Sequence, residues 1–314
     1  MKFRSDPTSI RGAITATLTP FAADGSLDTS SLRKLVTWQL DAGSHGISIG
    51  GSTGEPSAQS AAERIEAMRV VAEVTGDACP FLAGTGSTKL DETLSLTQAA
   101  VDLGADAALV VTPYYAIPTQ AGLRSWYGAV ASEFPSMPIV IYNVPSRTSV
   151  SIDPETVARL RADHDNIVGI KETTRDFEHF SRVIHACGRD FLVWSGIEQL
   201  CLPLLSLGGV GFVSALSNLA PGGVARLYDL WSSGTTAGAA DQHFALLPLA
   251  DLLFVETNPA PAKWTLEQRG IIDSGFVRPP LVPLTPEGQD RAAKYLAAAE
   301  DVLRLEPAAP RPGP

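Results

Sequence analysis

Lys171 is the residue of this chain whose position most directly suggests chemistry, because it ends an apolar run, Ile-Val-Gly-Ile-Lys at 167–171. The other five lysines are predicted to lie at the surface, in helices or loops: Lys2, Lys34, Lys89, Lys263 and Lys294. An amine at the end of a buried strand is partly desolvated, which lowers its pKa and makes it a usable nucleophile toward a carbonyl group. A plainer interpretation stays open, in which Lys171 forms an ion pair with the neighbouring Glu172.

Aromatic and basic side chains follow two other apolar runs. The segment Tyr-Asn-Val-Pro-Ser-Arg-Thr at 142–148 brings Tyr142 to the end of a strand and Arg147 into the next loop. Tyr142 can shuttle protons while an amine condenses with a carbonyl, or it can pack as a buried ring whose hydroxyl is merely satisfied. Tyr114 and Tyr115 follow another strand, where packing at an interface is as good an explanation as catalysis.

A small-residue turn, Gly-Gly-Ser-Thr-Gly-Glu at 50–55, follows a further apolar run. Exposed N–H groups and the hydroxyls of Ser52 and Thr53 would suit an anion. The turn has neither the lysine of a P-loop nor the spacing of a dinucleotide turn. No H-E-x-x-H pattern occurs in the sequence, so a catalytic metal is not predicted, and serine hydrolysis is not predicted either.

Composition narrows the class of protein further. The 314 residues include 24 basic and 34 acidic ones, a formal charge of −10, which argues against nucleic-acid and anionic-membrane partners. Three cysteines without C-x-x-C spacing exclude a disulfide framework and suit a reducing compartment. The sequence shows neither the apolar region of a signal peptide nor an apolar run of the roughly 20 residues that a membrane span needs. We therefore expect a cytoplasmic protein.

Short apolar runs alternate with longer amphipathic segments along the chain, and these elements must position the candidate residues named above. The predicted strands are Ala13–Leu18, Gly46–Gly50, Pro80–Gly84, Ala107–Val111, Pro138–Tyr142, Ile167–Lys171, Phe191–Ser195 and Val210–Ala215. Runs that are apolar throughout are typical of parallel strands covered on both faces. Eight such repeats predict an α/β fold, a (β/α)₈ TIM barrel, in preference to a doubly wound open sheet.

The chain is predicted to have three parts. Residues 1–219 form the barrel, residues 220–304 form a C-terminal helical segment packed on it, and residues 305–314 form a proline-rich tail. In such a barrel, catalytic groups gather where the carboxyl ends of the strands meet. This rule is why the strand-end residues above are treated as one candidate set.

Taken together, these motifs resemble one known family. Gly-Ser-Thr-Gly-Glu at 51–55, the tyrosine pair at 114–115, the segment at 142–148 and Gly-Ile-Lys-Glu at 169–172 resemble, in order, the dihydrodipicolinate synthase/N-acetylneuraminate lyase family. The likeness covers about residues 10–303. Phe-Val-Glu-Thr-Asn-Pro-Ala-Pro-Ala-Lys-Trp at 254–264 is more similar to the synthase branch than to the sialic acid lyase branch.

The resemblance implies a class I aldolase mechanism with no cofactor, in which pyruvate forms a covalent Schiff base with Lys171. Tyr142 would then donate and accept protons, and Thr53 and Tyr115 would complete a proton relay, with Tyr115 reaching in from an adjacent subunit of a homotetramer. Ser52 and Thr53 would hold the pyruvate carboxylate.

Three further residues receive roles from the same resemblance. Arg147 would receive the carboxylate of the second substrate, and Gly196 and Val213, near the ends of the seventh and eighth strands, would line the substrate site. The implied reaction is the condensation of pyruvate with aspartate semialdehyde in lysine biosynthesis.

Departures from the family pattern keep other reactions open. Thr173, Thr174 and Arg175 follow Lys-Glu where synthases carry smaller residues, and Ala116 and Ile117 follow the tyrosine pair. The alternative is an aldolase or dehydratase of a 2-keto-3-deoxy sugar acid or another 2-oxo acid. A non-catalytic 2-oxo-acid-binding barrel is a third possibility, against which the presence of both Lys171 and Tyr142 argues.

The resemblance also leads to an expectation about inhibition by lysine. Family members that lysine inhibits strongly present histidines and an asparagine at positions held here by Ala61, Arg64 and Thr88, whereas Glu92 and Tyr114 follow their pattern. We therefore expect lysine to inhibit this protein weakly or not at all.

Overall fold

The computed structural model describes residues 2–308, and in them eight strands form a closed parallel barrel in chain order. The strands are β1 (Gly12–Ala16), β2 (Gly46–Ile49), β3 (Phe81–Gly84), β4 (Ala107–Val111), β5 (Ile139–Asn143), β6 (Ile167–Glu172), β7 (Leu192–Ser195) and β8 (Gly211–Ser214). All eight predicted strands are confirmed, and none of their ends differs by more than two residues.

Helices alternate with the strands and continue after the last one. Within the described residues they are α1 (Lys2–Ser5), α2 (Thr29–Asp41), α3 (Ala61–Thr75), α4 (Leu90–Asp102), α5 (Gln120–Glu133), α6 (Pro145–Thr148), α7 (Pro154–Asp163), α8 (Phe177–Cys187), α9 (Cys201–Ser206), α10 (Pro221–Ser232), α11 (Thr236–Leu252), α12 (Ala260–Gln268), α13 (Pro286–Ala298) and α14 (Glu300–Leu303). The TIM barrel with C-terminal helices is confirmed. Across residues 2–308, every helix is too short or too polar to cross a membrane.

Burial explains why the strands lack polar–apolar alternation. All five residues of β1 and all five of β5 are buried, since both faces of each strand are covered. At the start of some helices, a side chain accepts hydrogen bonds from the first N–H groups. Asp28 accepts from the N–H of Ser31, and Ser60 and Glu63 form a reciprocal capping box at the start of α3.

The chain divides into two compact units. The first, Met1–Arg11 with Pro80–Val213, contains β3 to β7 and most of β8, and the second, Gly12–Cys79 with Ser214–Pro314, contains β1, β2 and α10 to α14. The domain boundaries at 219 and 304 stay a prediction. Residues 309–314 of the predicted tail lie outside the described part of the chain.

Candidate active site

Lys171 and Tyr142 lie side by side in the first unit. Strands β5 and β6 pair in parallel with Tyr142 opposite Lys171, so both side chains leave the sheet on the same face. The Nζ atom of Lys171 stands 4.3 Å from the centre of the Tyr142 ring, and each residue is only 5% exposed. The arrangement places a desolvated amine against a phenol, which are the nucleophile and the proton carrier that imine chemistry requires.

Gly196 makes room for the lysine side chain. A Cβ atom at this position would lie 2.7 Å from Cε of Lys171 and 2.2 Å from Oγ1 of Thr173, closer than real Cβ contacts. A residue without a side chain is therefore required immediately after β7. Gly196, which is expected to line the substrate site, lies against the side chain of Lys171. Val213, from the same predicted set, is buried in β8.

A polar network holds the ends of β5 and β6 from the other face. Because successive side chains of a strand alternate, Glu172 points away from Lys171. The Glu172 carboxylate is fully buried and accepts from Nδ2 of Asn143 at 3.0 Å and from the N–H of Thr174 at 3.1 Å. Nε2 of His179, on α8, lies 3.1 Å from its Oε2 atom. Since Glu172 is engaged by these groups, the structure does not support the interpretation of Lys171 as its ion-pair partner.

The histidine in this network has a shifted pKa. Burial alone would lower the pKa of His179, but the hydrogen bond and negative charge of Glu172, together with Asp176 and Asp153, outweigh burial and raise it above 6.5. The charged form of His179 is thus more favoured than that of an ordinary imidazole. Its contact with the Glu172 carboxylate joins α8 to the end of the strand that carries Lys171.

The residues assigned to the second substrate and to the neighbouring subunit are exposed. Arg147 lies in the short helix α6, and its side chain faces solvent. Tyr115 is 96% exposed and its backbone is left-handed (φ 71°), as is that of Ile117 (φ 47°). The chain therefore presents the Tyr115 ring outward on a tightly bent loop after β4.

In the second unit, the turn after β2 is closed by its own hydrogen bonds. Ser52–Gly54 form one 3₁₀ turn, in which the N–H of Gly54 donates to Gly51 and that of Glu55 donates to Ser52. These two N–H groups are therefore not available to an anion, and the expected anion site at Ser52 and Thr53 stays a prediction. Thr53 is 5% exposed, and its Oγ1 accepts from Nδ2 of Asn258 at 3.1 Å.

A second buried lysine supports this turn. Lys263 was predicted to be a surface residue, but in α12 it is fully buried, and its Nζ atom lies 2.5 Å from Oε1 of Glu55. The same amine donates to the carbonyl of Phe276 and stands 4.1 Å from the centre of the Phe21 ring. Burial lowers the pKa of Lys263 to about 8, against the opposing attraction of Glu55.

The sequence profile described as the Dihydrodipicolinate synthetase family matches residues 9–299 of this chain, which is most of its length. The chain belongs to this family. Its resemblance to dihydrodipicolinate synthases, inferred above from four strand-end motifs, is thereby confirmed.

Individual members of the dihydrodipicolinate synthetase family are similar over almost their full length. The 4-hydroxy-tetrahydrodipicolinate synthase of Thermus thermophilus is 44% identical over 281 residues, covering 90% of this chain and 93% of that protein. The structure of the enzyme of that name from Methylacidiphilum fumariolicum SolV has a TM-score of 0.90 and 38% identity, covering 95% of this chain and 98% of that one. A dihydrodipicolinate synthase from Acinetobacter baumannii, solved in complex with pyruvate, has a TM-score of 0.89 and 38% identity, covering 93% and 99%.

Sequence reasoning missed several residues of this family member that surround the candidate set. Asn143 and Glu172 follow Tyr142 and Lys171 directly, and their side chains meet on the opposite face of the sheet. Asn258 and Lys263 lie in the Asn-Pro-Ala-Pro-Ala-Lys segment, which the sequence analysis used only to choose a branch of the family. The signal in that case was a polar residue at each end of an otherwise apolar motif.

Proposed function

We propose that this protein is a 4-hydroxy-tetrahydrodipicolinate synthase, a Schiff-base-forming lyase that condenses pyruvate with aspartate semialdehyde in lysine biosynthesis. The observation that carries the proposal is the buried amine of Lys171, 4.3 Å from the centre of the Tyr142 ring at adjacent strand ends. Relatives at 43–44% identity that carry this name over nearly their whole length support the choice of reaction.

The first chemical step would be imine formation. Neutral Lys171 attacks the ketone carbon of pyruvate, a proton passes to the former carbonyl oxygen, and water leaves as the C=N bond forms. Tyr142 is the group that donates and accepts these protons. Loss of a proton from the pyruvate methyl group then gives an enamine, whose carbon attacks the aldehyde carbon of the second substrate.

The remaining assignments concern the carboxylates and the proton relay. Ser52 and Thr53 hold the pyruvate carboxylate, Arg147 receives the carboxylate of aspartate semialdehyde, and Gly196 and Val213 line the substrate site. A buried hydroxyl such as that of Thr53 is well suited to an anion, because hydrogen bonds to charged groups are stronger than those between neutral groups.

A second candidate reaction is favoured by one observation. Oγ1 of Thr173 is buried and has no hydrogen-bond partner in residues 2–308, and it lies beside Gly196 where a Cβ atom would meet it. An unpaired buried hydroxyl suits a substrate with additional hydroxyl groups. Cleavage or dehydration of a 2-keto-3-deoxy sugar acid is therefore the alternative, and it would use the same imine.

We further propose that the protein works in the cytoplasm as a homotetramer, a dimer of dimers in which Tyr115 completes the proton relay of a neighbouring subunit. A 96% exposed tyrosine on a bent loop supports this, because aromatic rings at the surface are enriched at interfaces. Sedimentation of the purified protein at several concentrations tests the assembly, and a monomer at micromolar concentration would contradict it.

Trapping with borohydride in the presence of pyruvate tests the mechanism. We expect a pyruvate adduct on Lys171, mapped by mass spectrometry, and none on Lys263, which is also buried but held by Glu55. An adduct on any other lysine, or none, would refute the assignment. A panel of aldehydes and 2-keto-3-deoxy acids separates the two candidate reactions, since only one class should support turnover.

A further inference from the structure

The turn that follows β2 has an uncommon backbone conformation at Glu55. This residue lies in the left-handed region (φ 55°, ψ 44°), which residues other than glycine rarely adopt, and it is only 4% exposed. The conformation must therefore be held by the surroundings of Glu55, and its buried carboxylate is one group through which they act.

Both oxygens of the Glu55 carboxylate are bound by residues from beyond the barrel strands. Oε1 lies 2.5 Å from Nζ of Lys263, and Oε2 accepts from the backbone N–H of Arg278 at 3.0 Å. The guanidinium of Arg278 and the amine of Lys263 each stand 4.1 Å from the centre of the Phe21 ring. Removing one member of such a buried pair leaves the other charge unpaired away from water.

A second contact from the same segment reaches the hydroxyl of Thr53. Nδ2 of Asn258 donates to Oγ1 at 3.1 Å, and both residues are 5% exposed. Because this oxygen already accepts a hydrogen bond, the hydroxyl proton of Thr53 is directed to a different acceptor. A carboxylate oxygen of the substrate is the acceptor that the proposed function supplies.

We propose that Lys263 and Asn258 are positioning residues for pyruvate. Lys263 fixes the turn 51–55 through Glu55, and Asn258 sets the direction in which Thr53 donates, so the segment that begins α12 governs affinity for the pyruvate carboxylate. This inference rests on the proposed function, which assigns Ser52 and Thr53 to that carboxylate.

Two variants, Lys263→Met and Asn258→Leu, test the inference with little change of volume. The rate of borohydride trapping is measured against pyruvate concentration, together with the melting temperature. We expect the half-saturating pyruvate concentration to rise about tenfold or more, as loss of one charge-assisted hydrogen bond predicts. The trapping rate at saturating pyruvate should change much less, because Lys171 and Tyr142 are untouched.

Glu306→Gln is the matched control. Glu306 is also a buried carboxylate of the second unit, where it accepts from the N–H groups of Gly222 and Gly223 at the start of α10. The substitution Glu306→Gln should lower the melting temperature and leave the half-saturating pyruvate concentration unchanged. If the Lys263→Met variant does not fold, the double variant Glu55→Gln/Lys263→Met, which removes both charges, takes its place. Its half-saturating pyruvate concentration is then compared with that of the separate Asn258→Leu variant.

The outcomes separate this inference from the function on which it rests. Trapping on Lys171 in the wild type, with wild-type half-saturation in both the lysine and the asparagine variants, would overturn the positioning role alone. In that case the contacts only attach the C-terminal segment, as those of Glu306 do. Failure of the wild type to trap pyruvate would overturn the proposed function and the inference together.

Discussion

Tyr142 is the residue at which catalysis and packing can be separated most cleanly. Substitution Tyr142→Phe keeps the ring beside Lys171 and removes only the hydroxyl group. We expect imine formation to slow by roughly 10²-fold or more, as is usual for loss of a general acid–base group, with an unchanged melting temperature. Rapid-quench trapping with pyruvate measures this rate, and Lys171→Ala sets the background at zero adduct. A wild-type rate in Tyr142→Phe would show that the hydroxyl is merely satisfied.

Gly196 tests whether the space around the nucleophile is necessary. In Gly196→Ala the new methyl group would overlap Cε of Lys171 and Oγ1 of Thr173, so these side chains or the local backbone must shift. We expect trapping with pyruvate to slow by more than about tenfold, since small displacements of reacting groups cost rate steeply. The double variant Gly196→Ala/Thr173→Ala relieves only the hydroxyl contact and should remain slow. Full recovery in the double variant would assign the effect to Thr173.

Arg147 should separate the two halves of the reaction. Its side chain is exposed on α6, apart in the chain from the strand that carries the nucleophile. In Arg147→Ala we expect imine formation with pyruvate to be largely preserved, while the KM for aspartate semialdehyde rises. Steady-state kinetics with each substrate varied in turn provides the measurement. Equal loss in both steps would make Arg147 a structural residue.

At the scale of elements, the strands were predictable because an entirely apolar run has few alternatives in an α/β protein. The end of such a run also made Lys171 and Tyr142 candidate site residues, since parallel strands bring their carboxyl ends to one edge. Lys263 could not be found in this way. It sits in a helix whose apolar and polar residues do not reveal which side the neighbouring elements cover, and its burial follows from contacts with Glu55, Phe21 and Phe276.

The contact between α8 and β6 should make stability depend on pH. The pKa of His179 is raised above its ordinary value of about 6.5, so its stabilising contribution is complete below that pH and is lost as pH rises through the folded-state pKa. We expect the melting temperature of the wild type to exceed that of His179→Gln most clearly below pH 6.5, and the difference to shrink at higher pH.

His243 on α11 is the control of opposite sign. Burial lowers the pKa of His243, so this residue costs stability at low pH, and the cost disappears as pH rises through the folded and then the unfolded pKa. As pH rises over the same range, the melting temperature of the wild type should therefore increase relative to that of His243→Gln. A His179→Gln difference that does not vary with pH would contradict the raised pKa of His179.

At the scale of the whole molecule, the closed barrel explains why the order of motifs carried so much information. Each strand of the barrel contributes one end to the same edge, which is why strand-end residues far apart in the chain could be treated as one candidate set. The segments after the barrel carried less information, because their contacts depend on packing that a single sequence does not reveal. Lys263 and Asn258 are the examples.

Inhibition by lysine, the end product of the proposed pathway, is the property of the whole enzyme that this sequence most specifically predicts. An amino acid that leaves water needs partners for both of its charges, and loss of one charged hydrogen bond costs about 1.5–3 kcal/mol, or roughly 10- to 150-fold in affinity. By the resemblance described above, Ala61 and Thr88 are expected to replace side chains with which strongly inhibited family members bind lysine. The carboxylate of Glu92, which remains, already accepts from the hydroxyl of Ser87 at 2.7 Å.

We therefore expect millimolar lysine to leave most of the activity in place. Initial rates at subsaturating pyruvate, with lysine varied from micromolar to tens of millimolar, provide the measurement, and arginine at equal concentration controls for ionic strength. Half-inhibition at micromolar lysine that disappears in Glu92→Ala would show that Glu92 leaves Ser87 to bind the ammonium group. It would also show that lysine binds despite Ala61, Arg64 and Thr88, with other groups or water completing its binding site.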